Sequence, residues 1–174
     1  MHNDEMMWQD YRSFIRSQKH WMLNQFQIIM GYIQLGKKDT AFEFIKRATS
    51  EVEGTAVFTQ LEDAEFGVRA CLMWWRMREN NIILFPIIDK NISITDYEKV
   101  FQELNLFMDD LKERYFELLA DKHVTWHIKQ QGNKLISILK CDDECDLTDM
   151  YAQNGLFLGK VSVVDNCITY VIEL

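Results

Sequence analysis

The first 35 residues constrain the fold more than any other part of the chain. From Glu5 to Leu35 there is no proline and a single glycine, Gly31. Such a stretch reads as one helix of about 45 Å at a rise of about 1.5 Å per residue. Gly36 ends it as the residue that turns left-handed, with Lys37 and Lys38 just past the negative helix terminus. Asp39 or Thr40 is then expected to cap a second helix, TAFEFIKRATSEVEG, with Glu43 placed as in a capping box. A four-residue connection between two long helices makes an antiparallel hairpin.

The faces of the first helix say more. At about 100° per residue with His20 as zero, Ser13, Arg16, Asn24, Gln27, Gly31 and Gln34 fall within about 40° of it, and Ser17 lies just outside. They form one polar stripe. Tyr11, Ile15, Met22, Phe26, Ile29 and Ile33 lie opposite. Met7, Phe14, Trp21, Ile28 and Tyr32 widen that apolar arc on one flank, Leu23 and Met30 on the other. The arc then exceeds half the circumference, whereas one antiparallel partner covers about a third of a helix. The excess calls for further helices, and a second copy of the hairpin is the simplest source. A dimeric four-helix bundle follows, with two His20 side chains facing outward.

Past the hairpin the pattern changes. Gly54 and the acidic LEDAE segment mark a break, and a Trp- and Leu-rich helix is expected from Glu62 to about Asn80. IILFPIID reads as a strand, at a sheet edge because of Pro86. Thr95 is expected to cap a helix from Asp96 to about Ala120. HVTWHIKQQ, a GN turn, KLISILK, an acidic loop, KVSVV, an Asp165-Asn166 turn and CITYVIEL complete a β-rich end. Met73, Trp74 and Trp75 are expected in the core. His123 and His127 share a strand, about 13 Å apart, and read as structural rather than as metal ligands.

Composition narrows the class. A net charge of −8 argues against nucleic acid as a partner. The longest apolar run, Ile82 to Ile88, is too short to span a bilayer, and MHNDEMMWQDY lacks the apolar core of a secretory signal. A cytoplasmic protein without membrane contact is expected. Cys71, Cys141, Cys145 and Cys167 are scattered and read as reduced thiols, with no metal site. The CDDECD segment reads as a solvated turn, not a calcium loop. Charge is uneven: Arg12 to Arg47 hold seven basic and two acidic residues, net +5, leaving −13 elsewhere. A local basic surface on an acidic protein suits an acidic partner.

His20 is the chemical candidate. An imidazole with an ordinary pKa of about 6.5 offers a neutral nitrogen nucleophile at cytosolic pH. Phosphoryl transfer otherwise asks mainly for positioning and charge stabilisation, which a rigid helix face with Arg16 and Lys19 supplies. Asn24, one turn on, is placed to hydrogen-bond a phosphoryl oxygen or a partner backbone.

The segment KHWMLNQFQIIMGYIQLGKKDTAFEFIKRATSE resembles the helical hairpin of the sporulation initiation phosphotransferase B family and of the citrate-sensing type of sensor kinases related to it. The likeness rests on His20, Asn24-Gln25-Phe26-Gln27-Ile28-Ile29, Gly31, Gln34-Leu35-Gly36 and the Ala41 to Ile45 core of the second helix, about 35 residues in all. It implies that His20 accepts a phosphoryl group from one response-regulator receiver and passes it to another, in the control of sporulation initiation. The family usually has an acid directly after the His, where this chain has Trp21. In the kinases that acid can orient the imidazole for attack on ATP, so its absence argues against autokinase activity.

The remainder resembles a worn kinase ATP-binding domain. In YEKVFQELNLFMDDLKERY, Asn105 survives, but Asp109 stands at the nucleotide Asn and Asp110 at its Ala neighbour. Gly155 and Gly159 stand apart, without the GxG spacing that brings backbone amides to phosphates.

The expected fold is therefore α+β: residues 1–62 a dimerising, phosphotransferring helical hairpin, and 63–174 an α/β domain without ATP-binding motifs. His20 is the expected phosphoacceptor and Asn24 its support. Ser13, Arg16, Ser17, Lys19, Gln27 and Gly31 are the expected docking surface for receivers. No cofactor is expected on this chain, since the Mg2+ belongs to the partner receiver. An ATP-dependent sensor kinase fragment and a non-catalytic dimeric adaptor are the competing readings.

Overall fold

The computed structural model describes residues 2–79, 82, 84–119, 122–141, 160–164 and 167–174. Its elements run α1 His2–Gln34, α2 Lys38–Thr59, α3 Ala64–Glu79, β1 Leu84–Ile88, α4 Tyr97–Leu119, β2 Val124–Gln131, β3 Lys134–Cys141, β4 Lys160–Val164 and β5 Cys167–Glu173. They fall into two compact units, residues 1–56 and 57–174. The fold is α+β.

In the first unit α1 stops at a left-handed Gly36, φ 72°. Gly36 N–H donates to the Ile33 carbonyl at 3.0 Å and Lys37 N–H to that of Tyr32 at 2.9 Å. This is the Schellman pairing that satisfies carbonyls the helix leaves open. Just past the turn, the Tyr32 ring meets Phe44 of α2 at 6.0 Å.

The second unit is a five-stranded sheet in the order β1-β2-β3-β5-β4, with β1 parallel to β2 and the other pairs antiparallel. The parallel step needs a crossover, and α4 supplies it. β1 is an edge strand, so Pro86 removes a donor that no neighbour requires. On the inner sheet face Val124, Trp126, Ile128, Leu135, Leu139, Ile168, Tyr170 and Ile172 are buried. α3 and α4 pack on the sheet. The Phe107 ring stacks on Tyr170 at 4.6 Å. Three buried polar groups find partners inside the unit. The Trp126 indole donates to Ser137 Oγ at 3.0 Å, the Trp74 indole to the Leu84 carbonyl at 2.8 Å, and the Tyr170 hydroxyl to Glu103. Met73, Trp74 and Trp75 are core, as expected.

Several boundaries differ from the sequence reading. α2 begins at Lys38, with Ala41 N–H bonded to the Lys37 carbonyl at 3.0 Å, so Asp39 and Thr40 lie inside the first turn and cap nothing. Asp39 there meets the positive helix end. Glu43 pairs with Lys46 at 2.9 Å instead of closing a capping box. Gly54 does not break the chain: α2 runs on to Thr59, because one glycine costs a helix only about 1 kcal/mol. α4 is capped by Asp96, not Thr95; its Oδ1 accepts from Lys99 N–H at 3.0 Å. Asp63 caps α3 in the same way, accepting from Phe66 N–H at 2.9 Å. The Asp165-Asn166 turn, Ala120, Cys145 with its CDDECD loop, Gly155 and Gly159 lie outside the described residues.

Candidate functional site

α1 carries the candidate site. Its helical period sets Ser13, Arg16, His20, Asn24 and Gln27 in one line, and all five are exposed, as is Lys19. Ser17 and Gly31 are half-buried. Among the described residues none of Ser13, Arg16, Lys19, His20, Asn24 or Gln27 makes a side-chain hydrogen bond or ion pair. The His20 imidazole thus stands exposed, with the exposed Arg16 and Lys19 on the same helix.

The flanks are unequal. Phe14, Trp21, Gln25 and Tyr32, on the side where Tyr32 meets Phe44, are half-buried. On the other side Trp8, Ile15, Met22, Phe26 and Ile33 are exposed, Phe26 at 53% and Ile33 at 54%. One face of α1 is therefore covered and one bare, which is the excess apolar arc in physical form. Leu23 and Ile28 are exposed too, at either shoulder of the polar stripe. Periodicity alone assigns both to the apolar arc. Their angles, about −60° and +80° from His20, are the available sign that they border the imidazole.

The second unit holds Asn105, Asp109 and Asp110 on α4. Asn105 Oδ1 lies 3.5 Å from Arg76 Nη1, Asp109 is exposed and Asp110 is buried. His127 sits 3.3 Å from Asp89 and the His123 ring 5.2 Å from Phe85, so the two histidines engage different neighbours. Cys71 is half-buried, and desolvation pushes its thiol up to about 11, away from reactivity. Among the described residues no cluster of three His, Cys, Asp or Glu is placed to hold a metal, and no helix is long and apolar enough to cross a membrane.

Comparison with known proteins gives three findings. A family model, Sensor kinase SpoOB-type, alpha-helical domain, matches residues 1–58. No curated protein matches the chain. Among solved structures the chain is similar to the Acinetobacter baumannii histidine kinase AdeS, with 11% identity, TM-score 0.41, and coverage of 88% of this chain and 97% of that one. It is also similar to the histidine kinase ThkA, solved in complex with the response regulator protein TrrA, with 12% identity, TM-score 0.37, and coverage of 91% and 60%.

Proposed function

We propose that the protein is a phosphorelay histidine phosphotransferase, a reading that starts from the match of residues 1–58 to the sensor kinase SpoOB-type alpha-helical domain. The observation that carries the reading is an exposed His20 in the middle of the family's helical domain, on a polar stripe with Arg16 and Lys19 beside it.

In the proposed reaction a receiver presents its phosphoaspartate to α1. A neutral His20 ring nitrogen attacks phosphorus, the bond from phosphorus to the aspartyl oxygen breaks, and the carboxylate leaves as an anion. The second half runs the other way. The aspartate carboxylate of another receiver attacks, the N–P bond breaks, and His20 returns to neutral imidazole. No nucleotide enters, and the Mg2+ comes with the receiver. Arg16 and Lys19 steer the acidic partner, Asn24 supports the phosphoryl oxygens, and Ser13, Ser17, Gln27 and Gly31 complete the contact surface. Trp21, in place of an acid beside His20, leaves no group there to prime attack on ATP. The bare apolar face of α1 is closed by a second copy in a four-helix bundle. Residues 63–174 serve as a kinase-like domain that has lost its nucleotide motifs. The relay is the one that starts sporulation, in the cytoplasm.

The test mixes the protein with a phosphorylated receiver and follows label onto acid-labile phosphohistidine. Transfer is expected in the native chain and none in His20→Gln. Failure of every receiver of the same genome to label His20 would remove the proposal. Label arriving from ATP would restore the kinase reading.

A further inference from the structure

The outer face of the sheet is unlike the surface of an ordinary acidic domain. The strands alternate, so that Leu135, Ser137 and Leu139 of β3 are buried while Lys134, Ile136, Ile138 and Lys140 face the other way. The register sets Ile136 opposite Val171 and Lys129, and Ile138 opposite His127, with Ile87 beside His127 in the next strand. An aliphatic centre results, with Ile87 51% exposed at its margin. All four lysines of the strands, Lys129, Lys134, Lys140 and Lys160, lie on this same face, and the strands hold one acid, Glu173. Residues 57–174 contain twelve basic and twenty acidic residues. A sheet of net +3 thus sits in a unit of net −8.

Thr125, Thr169, Ser162 and Gln131 share this face as on any solvated sheet, and Ile136, Ile138, Val171 and Ile87 are what depart from that pattern. An apolar centre with a charged rim is instead the anatomy of a protein interface. Nucleic acid is disfavoured, because the face has no arginine and one aromatic, Phe85. Charge complementarity requires an acidic occupant.

We propose that this face is a second docking surface for an acidic receiver, holding one regulator while another occupies His20. The partner's identity rests on the phosphotransfer reading. A phosphotransferase must exchange donor for acceptor at a single imidazole, and a regulator retained on the same molecule is present at raised effective concentration. The acidic surface of a receiver, which the basic stretch around His20 also calls for, supplies the matching negative charge.

The probe is the Mg2+-loaded receiver domain, each receiver of the same genome taken singly and titrated into full-length His20→Gln protein, so that no chemistry intervenes. Two receivers per chain are expected, and one per chain after Lys129→Glu/Lys140→Glu. The lost site should also weaken at least tenfold between low and physiological salt in the parent protein. Lys112→Glu, on α4 across the layer, should leave two. Unchanged stoichiometry in the double variant overturns the proposal, as does a parent that binds only one receiver yet transfers label normally in its native form. Lysine-dependent binding without any label transfer would uphold the surface and remove the function. A change in the protein's own oligomeric mass on Lys129→Glu/Lys140→Glu would assign the face to a second copy and overturn the receiver.

Discussion

The two units bury their apolar residues in opposite ways. In residues 1–56 Ala41 is the one buried apolar side chain among the described residues, and the large side chains of α1 stand open along a whole face. In residues 57–174 Phe66, Leu104, Phe107, Trp126, Leu135 and Ile168 are completely enclosed. Both sequences are comparably rich in apolar residues, so the contrast is one of geometry. A pair of helices has no interior, and the part of its apolar stripes that the two do not cover on each other stays open. Two helices laid on a sheet enclose a volume at once. The second unit carries its stability within itself, whereas the first, on the function proposed above, is completed by a second copy.

The strongest test of that contrast is Trp126→Ala. It deletes a fully enclosed indole and strips Ser137 of its donor, and should cost the second unit about 3–5 kcal/mol. Denaturant unfolding followed by tryptophan fluorescence would register it, while self-association of the hairpin should persist. Loss of both together would mean that the units are not energetically separate. Next in size is Phe26→Glu. A carboxylate placed in the bare face of α1 should weaken self-association by about 3 kcal/mol, on the order of a hundredfold. Sedimentation would then show monomers and phosphohistidine formation would fall. The melting of the second unit should not move. A wild-type chain that is already monomeric at micromolar concentration would break the comparison outright.

What the sequence disclosed follows the same division. The hairpin was legible because it is local: a proline-free run, Gly36 at the turn, and a period that puts His20 on the polar side with Asn24 and Arg16. The bare face was legible as an arc too wide for one partner. The α-to-β order and the edge position of β1 were legible from Pro86 and from alternation. Caps were not, because Thr95 and Asp96 are adjacent and either can accept from the helix start. The carboxylate of Asp96 does so here. Nor was the lysine face. Alternation in KLISILK says that Lys134 and Lys140 share a side, but only the register of four paired strands brings Lys129 and Lys160 onto it.

Two glycines sharpen the contrast at smaller scale. A Cβ on Gly67 of α3 would lie 2.4 Å from the Phe58 carbonyl oxygen, a contact with backbone that no rotamer change relieves. That close approach lets the buried Phe58 ring reach Trp74 at 5.9 Å. Gly67→Ala should therefore cost about 1–3 kcal/mol by overpacking. A Cβ on Gly54 of α2 would meet nothing within 4 Å, and Gly54→Ala should stabilise the helix by about 0.5–1 kcal/mol. Opposite signs for the same substitution, read from chemical denaturation, are the expected result. Equal losses would show that α2 is already enclosed over Gly54.

The smallest effect concerns a polar tie within the self-sufficient unit. Tyr97, at the start of α4, donates its hydroxyl to Asp63, the residue that caps α3. Desolvation first, and then the hydrogen bond and charge of Asp63, push the phenol up to about 12. In the unfolded chain it titrates near its ordinary value of about 10. Below pH 10 both states keep the proton, and the tie contributes in full. Between pH 10 and 12 the unfolded chain loses the proton while the folded one holds it, so stability falls as pH rises through that window. Wild-type denaturation midpoints measured from pH 9 to 11 should decline more steeply than those of Tyr97→Phe. The variant should start lower and the gap should narrow. Parallel curves would mean that the bond between Tyr97 and Asp63 does nothing to hold the two helix starts together. The second unit's cohesion would then rest on its apolar interior alone.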